Sequence, residues 1–192
     1  MTRPTDVVHF WFNRLPSESG TGNTRRVWFS KDPDFDHQIL MRFQDVYQQA
    51  ASGAIDDWQT TAEGSLALIL VLDQFPRNMF RGQPQAFATD AKAQAAAIVA
   101  IQSGQSQELP PVKRWFVYLP LMHSENLEHQ RQCVELFHAL RDDPDVKSAY
   151  PYAIKHLNVI EQFGRFPHRN AILGRDTTPE EAEFLKQPGS SF

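Results

Sequence analysis

One cysteine, Cys133, is all the chain has, so no internal disulfide can form, and a single thiol fits a reducing, cytoplasmic compartment. No apolar run exceeds Leu66 to Leu72, LALILVL, which falls far short of a membrane span. The opening stretch, MTRPTDVVHFWFN, has too short an apolar segment for a secretory signal and no small-residue cleavage site. Runs of Lys and Arg are also missing, and the formal net charge is -4. That excludes the electrostatic footprint that binding a nucleic-acid backbone requires. Segments of period-two alternation between turn signals are absent, which argues against strands. HExxH, GxSxG, a glycine-rich phosphate loop and a dinucleotide fingerprint are all missing, so no metal and no cofactor are expected.

What is present is ordinary globular composition, 41% hydrophobic and 22% charged over 192 residues. A chain of this length buries a core unaided, and residues 1–192 are expected to form a single helical domain. After an opening helix rich in aromatics and a polar loop over Pro16 to Thr24, Asp32, Pro33 and Gly53 read as N-cap, first turn and stop of a long helix. Its apolar face is Phe35, Ile39, Phe43, Val46, Tyr47 and Ala50. Thr60 with Glu63 suggests a capping box ahead of a helix apolar on all sides, which Pro76 is expected to end at Phe75. An alanine-rich helix follows from Asp90 to the stop at Gly104, then a short aromatic one from Val112. Ser124 is positioned to cap a long helix to about Leu140, another runs from Ser148 to Phe163, and Thr178, Pro179 and Glu181 spell a last capping box. The fold class is all-α.

Residues 73–78, DQFPRN, return in expanded form as residues 161–170, EQFGRFPHRN, and FDHQ at 35–38 returns as LEHQ at 127–130. Two matches in the same order indicate a duplicated helical hairpin and a compact superhelical stack of such pairs. The blocks KDPDFD, LALILVLDQFPRNMFRG, AFATDAKA, LPLMHSENLEHQ and VIEQFGRFPHRNAILGRDTTPEEAEFL together resemble family 924 of the bacterial domains of unknown function, over essentially the whole chain. The resemblance implies an all-helical fold similar to tetratricopeptide repeats. It implies no reaction.

The repeated phrase supplies the candidate ligand-binding residues. In the first copy these are Asp73, Gln74, Arg77 and Asn78, with Arg81 just beyond, and in the second Glu161, Gln162, Arg165, His168, Arg169 and Asn170. If the loops face one another, their guanidiniums converge on a small anion or a peptide carboxylate, for which a planar fork of donors is suited. Arg77 and Arg165 then neutralise the ligand while Asp73 and Glu161 orient them. The bland reading is that both copies satisfy the ends of buried helices. A rival function is a hydrolase or proton-transfer enzyme with His123 or His168 as base and Glu161 as partner, and a third is an interaction scaffold with an exposed apolar groove. Cys133, mid-helix, reads as a buried structural thiol.

Overall fold

The computed structural model describes residues 2–13 and 26–191. The loop expected over Pro16 to Thr24 lies outside them. Helix α1 (Pro4–Phe12) opens on a proline in its first turn and buries Val7, Val8 and Trp11. The Trp28 indole donates to the Trp11 carbonyl at 2.9 Å, and Trp11 packs against Phe35, Phe75 and Phe116. Helix α2 (Pro33–Ser52) is capped by Asp32, whose carboxylate accepts from the Asp34 and Phe35 amides. It buries the six residues its spacing selects and stops at Gly53, whose φ of 89° is open to glycine at little cost.

Helix α3 (Ala62–Ile69) begins one residue later than Thr60 and Glu63 suggest. Thr61 is the cap, accepting from the Gly64 amide, while the Thr60 hydroxyl donates back to the Asp57 carbonyl. The reason is packing: a Cβ at Gly64 would stand 2.0 Å from the Trp58 carbonyl oxygen, so only glycine fits at this turn. Nor does Pro76 end the helix. The chain passes through a π-helical turn, Leu70–Gln74, where the Phe75 amide reaches back to the Leu70 carbonyl, and continues as α4 (Phe75–Met79). Pro76 has no amide for the Leu72 carbonyl four residues earlier, and the buried Thr89 hydroxyl takes that acceptor at 2.6 Å. A distant side chain thus repairs the break that proline makes.

Helix α5 (Asp90–Gln102) buries Ala93, Ala96, Ala97 and Ala100 and packs on α3 and on α6 (Pro111–Met122). Helix α7 (Leu127–His138) packs on α6, and α8 (Ala149–Phe163) on α7. The cap of α7 is Asn126 rather than Ser124. Ser124 instead folds into the turn, accepting from the Asn126 amide and bonding His129. Fully buried Gln130 donates to the carbonyls of Leu121, Met122 and Ser124, satisfying the C-terminal end of α6 and fixing the position of His123. Two short helices, α9 (Asn170–Leu173) and α10 (Pro179–Phe184), complete the chain, the latter with the Thr178–Glu181 capping box in place.

The described residues contain no strand, and the fold is all-α with compact helical packing. One large cluster of buried side chains runs from Val7 in α1 to Ala153 in α8, and a small second one joins Val159, Ile160 and Phe166. Cys133 is fully buried, which pushes its thiol up, away from ionisation. Among the described residues no helix is long and apolar enough to cross a membrane.

Candidate functional site

The π-turn delivers Asp73 into the interior with its side chain essentially fully buried. An inserted residue in a helix costs regular hydrogen bonding, and such turns are frequent where a side chain must be re-aimed. Here the carboxylate accepts from His123 Nδ1 at 2.8 Å and from the Gln74 amide at 2.6 Å, with Arg77 at 3.6 Å. Burial by itself would raise the Asp73 carboxyl. The Arg77 charge and the two hydrogen bonds outweigh it and hold the group ionised, well below the carboxylate range. His123 moves the other way: burial, and then the nearby Arg77 charge, depress its pKa despite Asp73. It is therefore neutral at pH 7 with its proton on Nδ1, donated to Asp73. Its Nε2 has no hydrogen-bond partner among the described residues, and the side chain is 16% exposed.

Arg77 is engaged through both outer nitrogens. It donates to Asp90 through two nitrogens at 2.8 and 3.1 Å, and to the carbonyls of Asp73 and Ala86. Asp90 receives a second arginine, Arg169, at 3.5 Å, and the guanidiniums of Arg77 and Arg169 both lie over the Phe87 ring. The two copies of the phrase therefore do meet, across Asp90. The register is Phe75, Pro76, Arg77, Asn78 against Phe166, Pro167, Arg169, Asn170, with His168 inserted. Both phenylalanines are fully buried and both arginines reach one carboxylate.

The acids that open each phrase are not equivalent. Asp73 is buried, whereas Glu161 and Gln162 are exposed. Arg165 faces α10, donating to both oxygens of Glu181 at 2.6 and 2.8 Å and to the Asp176 carbonyl. Asn170 donates to Glu181 and Thr177, and in the first copy Asn78 and Arg81 both bind Asp36 in α2. Glu181 is held at about 2, chiefly by Arg165, with the Thr178 amide and Asn170 helping against the effect of burial. Glu181→Gln removes the charge from these bonds, each worth roughly 1.5–3 kcal/mol when one partner is ionised. Amides of α10 are then expected to exchange with deuterium at least ten-fold faster, with those of α3 unchanged. Equal protection of α10 in the wild type and in Glu181→Gln would contradict the clamp.

Around Arg169 stand further buried and half-buried polar groups. Glu125 accepts from both outer nitrogens of Arg175 and from the Phe166 amide, and these donors keep it ionised against the effect of burial. His156 donates Nδ1–H to the Tyr152 carbonyl and packs edge-on to Phe166. Burial, the largest cause, lowers His156 to about 3 and His168 to about 4, with nearby cationic groups adding to it. Arg169 itself is 7% exposed, lies between the Phe87 and Phe166 rings, and touches a carboxylate only at 3.5 Å. Its Nε is buried without a hydrogen bond, and burial plus the Arg77 charge lower it to about 10. Asp90 and Phe87 were legible only as the start of a helix and the turn before it. A signal existed: two arginines from duplicated turns need an acidic counter-charge, and Asp90 is the acid just downstream of the first. Among the described residues no group of three or more His, Cys, Asp or Glu side chains is arranged to hold a metal ion.

Together these features define an all-helical protein with a buried layer of paired charges and neutral histidines between two pseudo-repeated turns. The chain belongs to the family described as bacterial protein of unknown function (DUF924), whose model matches residues 7–189. It is similar to the solved structure of a protein of unknown function from Agrobacterium tumefaciens, with a TM-score of 0.84 and 40% identity over 95% of this chain and 96% of that one. No curated protein matches it.

Proposed function

We propose that the protein binds a small anion at Arg169, in the layer where the two repeated turns meet. The observation that carries this reading is an arginine 7% exposed whose Nε has no partner and whose contact to Asp90, at 3.5 Å, is at the limit of a hydrogen bond. A buried guanidinium with idle donors is costly unless something completes its shell, and a carboxylate or phosphate does so with two parallel bonds. Arg77 then has a different task from the one its sequence position suggests: it fixes Asp90 and Asp73, leaving Arg169 as the cation for the ligand. The sequential packing of α5 to α8 is compatible with a tetratricopeptide-like stack, and we take residues 1–192 as one unit working in the cytoplasm.

The test is a thermal-unfolding screen against inorganic phosphate, phosphate monoesters, dicarboxylates, short peptides and 4-hydroxybenzoate. A ligand specific to the native state, at 100 times its Kd, adds about 2.7 kcal/mol, which corresponds to roughly 5–10 °C for a chain this size. At least one anion is expected to raise the midpoint of the wild type and leave that of Arg169→Met unmoved. Equal responses from both, or none from either, would defeat the proposal.

A further inference from the structure

The Asp73–His123 pair is unexplained by anion binding. Nothing about holding an anion requires a carboxylate delivered by a π-turn to the Nδ1 of a histidine whose Nε2 is left without a partner. A neutral imidazole turned so that its lone pair faces away from its own carboxylate is the arrangement of a proton acceptor. The carboxylate selects the tautomer and stabilises the imidazolium formed when a proton arrives. Arg169 and His123 belong to one chain of contacts: Arg169 reaches Asp90, Asp90 binds Arg77, and Arg77 lies 3.6 Å from the Asp73 carboxylate that holds His123.

We propose that His123 is a catalytic general base for the hydrolysis of small carboxylic esters that carry a separate anionic group, with Arg169 seating that group and Asp73 as the positioning residue. The proposal rests on the reading of Arg169 as the anion site. Nε2 takes a proton from water as the water oxygen bonds to the acyl carbon. The bond from that carbon to the leaving oxygen breaks, and the proton on Nε2 passes to the leaving oxygen, giving an acid and an alcohol with no other reactant. The charged and titratable groups that act on His123 are Asp73, Arg77 and Asp90, and His156 and His168 are near enough to feel its charge. Activity should therefore rise with pH through a single ionisation below the ordinary histidine value of 6.5.

The experiment uses the full chain with 4-acetoxybenzoate as the anionic ester, 4-nitrophenyl acetate as the neutral one and 4-nitrophenyl phosphate as the phosphoric one. The wild type is expected to favour 4-acetoxybenzoate. His123→Gln, which keeps a donor for Asp73, should lower kcat about 100-fold or more at an unchanged unfolding midpoint, and Arg169→Met should act mainly on KM. Asp73→Asn should lower kcat with little change in KM and move the rise with pH to lower pH, since the carboxylate is what raises His123 against burial. If a variant does not fold, imidazole nitrogen shifts of the wild type at pH 7.5 decide: Nδ1–H at His123 supports the proposal and Nε2–H overturns it. No turnover above the buffer rate, equal turnover by His123→Gln, or activity only on the neutral or phosphoric ester overturns it as well. If 4-hydroxybenzoate still binds in the absence of turnover, the base falls and the anion site stands. Loss of both removes both.

Discussion

Asp73→Ala is expected to lower unfolding free energy by about 3–5 kcal/mol in urea titrations, because it deletes one side of a buried charged network and leaves the other in place. His123 and the Gln74 amide lose their acceptor at 2.8 and 2.6 Å, and the Arg77 guanidinium keeps Asp90 as its one carboxylate beside two backbone carbonyls. Against a total stability of about 5–15 kcal/mol for a typical domain, that is a large fraction. Asp73→Asn should cost less, since the side-chain shape survives while the charge does not. The informative control is Glu161→Ala at the matching place in the second copy. Glu161 is exposed, so its change should stay within about 0.5 kcal/mol. Comparable losses at both positions would mean that the two acids play the same part after all.

The second large effect is on acid stability. His156 at about 3 and His168 at about 4 are buried neutral, whereas in the unfolded chain both titrate near 6.5. Between those values the unfolded state binds protons that the native state refuses, so stability rises with pH across this window and falls as pH drops through it. Above 6.5 these two groups contribute no slope. Each lost pH unit costs up to about 1.4 kcal/mol per histidine, and allowing for solvent around His168 these two should contribute about 3 kcal/mol to the fall from pH 7 to pH 5, with His123, also depressed by burial, adding to it. His156→Gln, which keeps a donor for the Tyr152 carbonyl, should remove about half of the part that these two groups contribute. A stability that is flat from pH 7 to pH 5 would show that neither histidine is buried in the neutral form.

Much of the fold was legible because it is written locally. Asp32, Pro33 and Gly53 bound α2 by cap, first turn and stop, and the box at Thr178 and Glu181 stands as read. Where the local reading failed, a distant partner decided. Pro76 reads as a terminator until Thr89, 13 residues on, supplies the hydrogen that the Leu72 carbonyl lacks. Thr60 reads as a cap until Gly64 has to fit against Trp58. The site was legible in part for the same reason. The repeated phrase is visible in the letters, yet its second copy carries four extra residues, His168 among them, so Arg165 looks like the counterpart of Arg77 when Arg169 occupies that place. His123 stood out as a candidate base, but its carboxylate is Asp73, fifty positions away and on another helix. No spacing rule reaches that far.

The central claim is that the repeated turns converge on a buried arginine with donors to spare. It is tested most directly by the nitrogen-edited NMR signal of the Arg169 Nε–H, assigned by its disappearance in Arg169→Lys, during titration with 4-hydroxybenzoate and, separately, inorganic phosphate. The account predicts that this resonance shifts and saturates with at least one of the two anions, while the resonances of Arg77 and Arg165, already paired to Asp90 and Glu181, stay nearly still. An Arg169 signal that does not move with either anion, or one that moves no more than Arg165, would contradict it.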